Sequence, residues 1–238
     1  MTEPQHIKAK KGDIAENVVM SGDPSRVRQL AQLLKDSRIV NENRGFLSFT
    51  GFYDDQSVSV VCHGIGSPSI ALVTEELIMH GAKRFIRLGT AGSFIRELKI
   101  GQVVIPNGAA YMGGTLRQYV PDTHLTPVPD FELLQELVRS AQTYGLEFRV
   151  GPVFSSDAFH AEDSNFVSRW ASRGFIAVEM ECATLFALAM MRGVKAASLL
   201  LVSDNLAEMT HMADANALRP YVEKSSRAVF DAVTSRKK

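Results

Sequence analysis

The sequence predicts a layered α/β fold built on a largely parallel sheet. Short apolar runs alternate with segments of helical period along all 238 residues, the pattern of repeated strand–helix units. Hydrophobic residues make up 45% and charged residues 22% of the chain, a composition that can bury a sizeable core. No repeat, low-complexity stretch or linker interrupts the alternation. The length allows one large domain or two small ones.

The elements run in order along the chain. The apolar run at 18–20 is a strand that Gly22 ends; Asp23 can cap, and Pro24 suits the first position of a helix over 24–34. Runs at 46–50 and 58–62 are strands, followed by a helix over 68–80. Further strands are expected at 85–88 and 102–105. Residues 111–129 hold five glycines and prolines and no clean period; a long irregular connection of this kind is often functional or lies at an interface. A helix over 131–144, a strand at 148–154, a helix over 163–171 and a strand at 175–178 come next. The chain closes with a helix over 182–191, a strand at 197–202 and a helix over 215–233. In sheets of this type ligands gather at the carboxyl ends of strands, so the residues there carry the functional argument.

Composition excludes several classes. Lys+Arg and Asp+Glu both number 26, so a nucleic-acid binder or polybasic membrane anchor is disfavoured. The opening residues MTEPQHIKAKKGD lack the apolar core of a signal peptide, and no run is long enough to span a bilayer. Cys62 and Cys182 are the only cysteines, which argues against a disulfide scaffold or structural zinc. The expected setting is cytoplasmic. The six histidines show no i, i+4 metal pair, and no G-x-S-x-G, Walker A or HExxH motif is present.

Four strand ends and one core-like stretch stand out. In MSGDPSR, Arg26 lies in a first helical turn, where its charge opposes the helix dipole; it is either a surface arginine or part of an anion site at a helix N-terminus. In CHGIGSPS, Gly64 and Gly66 allow close backbone approach, but Ser69 replaces the third glycine of a dinucleotide fingerprint, and the next strand ends in Arg87 and Gly89 rather than an acid. In FIRLGTAGS, Arg87 sits inside a buried-type strand ahead of Thr90; a salt bridge or a bound anion would offset its burial. In LLLVSDNL, Asp204 follows an apolar strand, as a helix cap or as a proton donor. AVEMECATLF places Glu179 and Glu181 in apolar surroundings. Two buried carboxylates need partners, which a structural ion pair with Arg87 or a polar ligand could supply.

Together HIKAKKGD, MSGDPSR, NENRGFLSFTG, CHGIGSPS, FIRLGTAGS, VGPVFSSDAF, VEMECATLF and VSDN resemble, in order, the segments of the nucleoside phosphorylase family. The similarity runs from about His6 to Asn205 and is greatest toward the hexameric purine nucleoside and 5′-methylthioadenosine phosphorylases. The resemblance implies a single domain over 1–238, a three-layer αβα arrangement around a central mixed, largely parallel sheet. It implies phosphorolysis of a purine nucleoside to free base and ribose 1-phosphate, with phosphate as co-substrate and no metal or organic cofactor. Positions matching the phosphate site are Gly22, Arg26, Arg44, Arg87 and Thr90. Those matching the ribose site are His6, Met180 and Glu181, the glutamate accepting from the sugar hydroxyls. Phe159, Glu179 and Asp204 match the base site, Asp204 as the acid that protonates N7. In hexameric relatives, a trimer of dimers, the residues matching His6 and Arg44 reach into the neighbouring subunit's site.

Other readings stay beside this one. Family nucleosidases use water and lack the phosphate arginines, whereas Arg26, Arg44 and Arg87 are all present here. Uridine phosphorylases share the phosphate and ribose residues but carry a Gln-x-Arg pair where this chain has AEDSNFVSR, and they lack the acid matching Asp204. A non-catalytic nucleoside-binding protein would be expected to have lost an arginine, Glu181 or Asp204. Residues 207–220 depart from the bacterial pattern, so Arg219 as a support for Asp204 is left open, as are the roles of Ile65 and His160.

Overall fold

The computed structural model describes residues 3–235. Nine strands form one mixed sheet: β1 (Asn17–Ser21), β2 (Lys35–Asn41), β3 (Ser48–Tyr53), β4 (Gln56–Cys62), β5 (Arg84–Ser93), β6 (Val103–Tyr111), β7 (Phe148–Ser155), β8 (Ala177–Glu179) and β9 (Lys195–Asn205). Seven α-helices accompany them: α1 (Pro24–Ala31), α2 (Ser67–Met79), α3 (Gly114–Tyr119), α4 (Phe131–Thr143), α5 (Phe166–Ala171), α6 (Cys182–Arg192) and α7 (Ala215–Thr234).

Strand alternation sorts the core into two layers. Along β9, Leu200 and Val202 face a cluster with Ile70, Val73 and Leu77 of α2 and Leu185 and Phe186 of α6. Leu199 and Leu201 face the opposite cluster, with Val27 and Leu30 of α1, Leu133 and Leu137 of α4, and Val229 and Phe230 of α7. This is the expected αβα stack: a sheet buried on both faces reads as continuous apolar runs. Each fully buried Leu, Val or Phe contributes about 1.5–3 kcal/mol.

β1 is flanked by β4 and β5, both parallel to it, and β9 runs parallel to β5. The sheet then closes on itself at one side. β5 leaves β1 after Arg87 and picks up antiparallel β8 at Gly92 and Ser93, while β8, β7, β6 and β9 pair in succession. The sequence carried no sign of this closure, because it depends on long-range pairing rather than on local pattern.

Boundaries differ where tertiary pairing overrides composition. β5 and β9 run through Gly89–Gly92 and Asp204, beyond the strands expected at 85–88 and 197–202. β2 has no counterpart among the expected strands. It is mostly exposed, with the sequence KDSRIVN, and a charged edge strand lacks apolar alternation. The irregular 111–129 stretch contains the short helix α3. Among the described residues no helix is long and apolar enough to cross a membrane, and no group of three or more His, Cys, Asp or Glu is placed to hold a metal ion.

Candidate active site

Parallel pairing sets the carboxyl ends of β1, β4, β5 and β9 along one edge of the sheet. The register matches Ser21 with Cys62, Met20 with Arg87, and Gly92 with Asp204. β8 brings Glu179 beside Ser155 of β7 at the same edge. A cavity of about 720 Å³ opens there, within the range of small-molecule sites. Of the residues singled out from the sequence, Gly22, Arg26, Arg87, Thr90, Phe159, Glu179, Met180, Glu181 and Asp204 all line it.

One end is an interlocked cluster of charges. The Arg87 guanidinium bonds the Glu181 carboxylate and lies 3.2 Å from Glu179. All three side chains are almost wholly buried. The structural ion pair considered from sequence is therefore present, and it forms part of the cavity wall. Burial opposes the Arg87 charge, but Glu181 and then Glu179 outweigh it and raise its pKa. Burial raises the Glu181 pKa, Arg87 pulling down and Glu179 pushing up: a single buried guanidinium cannot fully neutralise two carboxylates.

Backbone geometry holds the cluster. A Cβ on Gly89 would lie 2.4 Å from Arg87 Nη1, so only glycine lets the arginine fold back over its own strand. Gly66, at φ +85°, donates its N–H to Glu181 Oε1 at 2.7 Å. Glu179, which the resemblance places near the sugar and base, lines the cavity. Its oxygens accept from the N–H groups of Glu181 and Cys182 and from Ser155 Oγ, which ties it to the start of α6 and to Arg87.

Beside this cluster Arg26 is 9% exposed. It donates only to two neutral acceptors, Ser21 Oγ at 3.3 Å and Leu88 O at 3.4 Å, and among the described residues it has no ion pair. Burial lowers its pKa, Asp23 offsets part of this, and Arg87 lowers it further; a guanidinium nonetheless stays charged. Asp23 caps α1 by accepting from Ser25 N, with Pro24 opening the helix. A buried cation beside a helix N-terminus and the half-buried Thr90 is a ready anion site. His63 lies behind it, fully buried; burial, then Arg87 and Arg26, hold its pKa well below the ordinary value, so it is neutral.

The far end is more open. A bulge in β9 between its pairings with Ala91 and Gly92 adds a residue to the strand at Ser203 and re-aims the side chains beyond it. Ser203 Oγ donates to Asp204 Oδ1 at 2.7 Å. A Cβ on Gly92 would come within 3.2 Å of Asp204 Oδ2, so glycine keeps that space clear. Phe159 and His160 sit edge to face on a one-turn 3-10 helix, Phe159–Ala161. Arg219 is exposed and does not line the cavity.

His6 and Arg44 do not line this cavity. They lie together elsewhere: Asn43, beside Arg44 on the turn Asn43–Gly45, donates to the His6 carbonyl at 2.9 Å. Arg44 is exposed, with φ +55°, a conformation that costs free energy in a non-glycine residue. His6 Nδ1 is 2.8 Å from Glu76, which also accepts from the N–H groups of Gln5, His6 and Ile7. Burial would raise the Glu76 pKa, but these donors, Ile7 first, bring it down to about 2.

Sequence reasoning did not single out Ser155, Ser203, Glu76 or Glu162. Nothing local marks them, because their importance comes from partners between one and 71 residues away or, for Glu162, from a place in the cavity wall.

Residues 16–234 match the Phosphorylase superfamily. The chain is 35% identical over 241 aligned residues to a guanosine phosphorylase of Halorubrum lacusprofundi, covering 99% of this chain and 100% of that one. It is 40% identical over 203 residues to a DeoD-type purine nucleoside phosphorylase of Caldanaerobacter subterraneus subsp. tengcongensis, covering 84% and 88%. It is 39% identical over 203 residues to a DeoD-type purine nucleoside phosphorylase of Bacillus cereus, covering 84% and 86%.

Proposed function

The chain belongs to the phosphorylase superfamily, and on that premise we propose that it is an enzyme cleaving purine nucleosides with phosphate. The observation that carries this is Arg26: a buried cation without an ion-pair partner among the described residues, facing a cavity with Asp204 in its wall. Phosphate supplies the missing anion. One phosphate oxygen attacks C1′, the C1′–N9 bond breaks, and its electron pair moves into the purine as Asp204 gives a proton to N7. The products are free base and ribose 1-phosphate. Positive charge building at C1′ is stabilised by the incoming phosphate and by Glu181, which takes the ribose hydroxyls with Met180 packed on the sugar. Proton transfer from Asp204 contributes about 10²–10⁴ in rate.

Gly22, Arg26, Arg87 and Thr90 hold the phosphate in this reading, with no metal or organic cofactor. The active enzyme is a cytoplasmic oligomer, a hexamer built as a trimer of dimers. His6 and Arg44 complete the neighbouring subunit's ribose and phosphate sites; their adjacency to each other, away from their own cavity, supports this. The single domain runs over residues 1–238.

The test is base release from inosine, guanosine, adenosine, 5′-methylthioadenosine and uridine, each with and without phosphate. Release of purines that requires phosphate is expected. Equal rates without phosphate would mean water is the nucleophile, and a preference for uridine would overturn the base-site assignment.

A further inference from the structure

We propose that Glu76 is a positioning residue for His6: its carboxylate fixes the imidazole in the tautomer with hydrogen on Nδ1 and leaves the Nε2 lone pair to accept from a sugar hydroxyl. The inference rests on the reading above, in which His6 serves a neighbouring subunit's ribose site. Glu76 lies in α2 and is buried. The amides of three successive residues wrap around it. Oε1 accepts from Gln5 N at 2.9 Å, and Oε2 accepts from His6 N at 2.8 Å and Ile7 N at 2.7 Å. Backbone N–H groups gathered in this way form an anion-binding concavity. Burial opposes the charge, but these donors hold the pKa down to about 2, so the carboxylate is ionised at neutral pH.

Fastening the chain and holding the ring are separable tasks. The three amide bonds already hold the segment, helped by Asn43 Nδ2 on the His6 carbonyl at 2.9 Å and His80 Nε2 on the Ile7 carbonyl at 3.0 Å. The fourth bond, between Glu76 Oε1 and His6 Nδ1 at 2.8 Å, holds only the imidazole. An ionised carboxylate can only accept, so Nδ1 donates. Free histidine prefers its hydrogen on Nε2, and the carboxylate reverses that preference. Phe46 sets the ring from a second side, edge to face with 6.3 Å between centroids. The side chain stays 26% exposed, and among the described residues no hydrogen bond engages Nε2. Neutral imidazole then offers an acceptor at a fixed place, as a metal-binding histidine does when a carboxylate holds its other nitrogen. A ribose hydroxyl is the donor that fits it.

The test has two arms. In the first, the native protein is labelled with 15N-histidine, and the ring-nitrogen shifts are read in the alkaline limit, where imidazole is neutral. The His6 signals are those missing from His6→Ala. His6 should show a protonated Nδ1 and an unprotonated Nε2, and Glu76→Gln should shift the balance toward Nε2–H. A native His6 with its hydrogen on Nε2 overturns the proposal, whether or not any Glu76 variant folds. In the second arm, steady-state assays with inosine at saturating phosphate compare Glu76→Gln, His6→Ala and the double variant. Loss of one hydrogen bond predicts that Glu76→Gln lowers kcat/KM roughly 3–10-fold, mainly through KM. Because Glu76 acts through His6, the double variant should be no worse than His6→Ala. Losses that multiply in the double variant make Glu76 a fastener only and overturn the proposal. Full activity in His6→Ala would instead fail the reading of His6 as a ribose-site residue, while the nitrogen shifts would still report the tautomer, so the two failures are distinguishable.

Discussion

At the arginine end of the cavity the charged side chains are buried and hang on the ends of β1, β5 and β8. At the other end Phe159 is 52% exposed and sits on a single turn in the loop between β7 and α5. Arg87, Glu179, Glu181, Ser155 and the amides of Gly66 and Cys182 hold one another, so no member can change without stranding another. Glu162 and Phe159 have no such mutual support. Under the proposed function the contrast is a division of labour: a tightly bonded end for the phosphate and sugar, and a less constrained end for the base.

The sharpest way to break this contrast is Arg87→Ala. It leaves two buried carboxylates without their cation, which costs roughly 3–5 kcal/mol, a fall in Tm of roughly 10 °C for a protein of this size. Turnover should be lost with it. A variant that melts with the wild type in a thermal scan would show that the charge network does not hold this end together. Next comes Asp204→Asn, expected to cut inosine turnover by about 10²–10⁴. A riboside whose leaving group needs no proton should suffer far less, and Tm should move by only a degree or two. Full inosine activity would remove Asp204 from its role. The smallest effect belongs to Phe159→Ala: losing the packing surface for the base should raise KM by about 3–10-fold, from an aromatic contact of about 0.5–1.5 kcal/mol. Steady-state assays read it, and a Tm loss as large as that of Arg87→Ala would mean the two ends are not built differently after all.

The same contrast governs what could be read from residues in order. Arg26, Arg87, Glu179 and Glu181 are legible because a charge in an apolar strand or at a cationic first helical turn contradicts local design and so announces a partner. Glu162 lies in AEDSNFVSR, a polar loop where an acid contradicts nothing. Glu76 is likewise silent in its helix, although it fastens the segment that carries His6. Glu179 illustrates a subtler limit: its position in the cavity wall followed from motif likeness, but its bonds to Ser155, to the amides of Glu181 and Cys182 and to Arg87 are visible only in the folded chain.

By itself the sequence determined the α/β class, the alternation of layers and the set of strand ends that matter, because these arise from hydrophobic period and from unusual residues at fixed places. Only the tertiary structure decided that β5 and β9 carry on to Ser93 and Asn205, that a bulge at Ser203 re-aims Asp204, and that the sheet closes through β8 to bring Glu179 and Glu181 onto Arg87. Those outcomes depend on pairing between segments tens of residues apart. Local propensity carries no record of which distant strand will supply a hydrogen bond or a counter-charge.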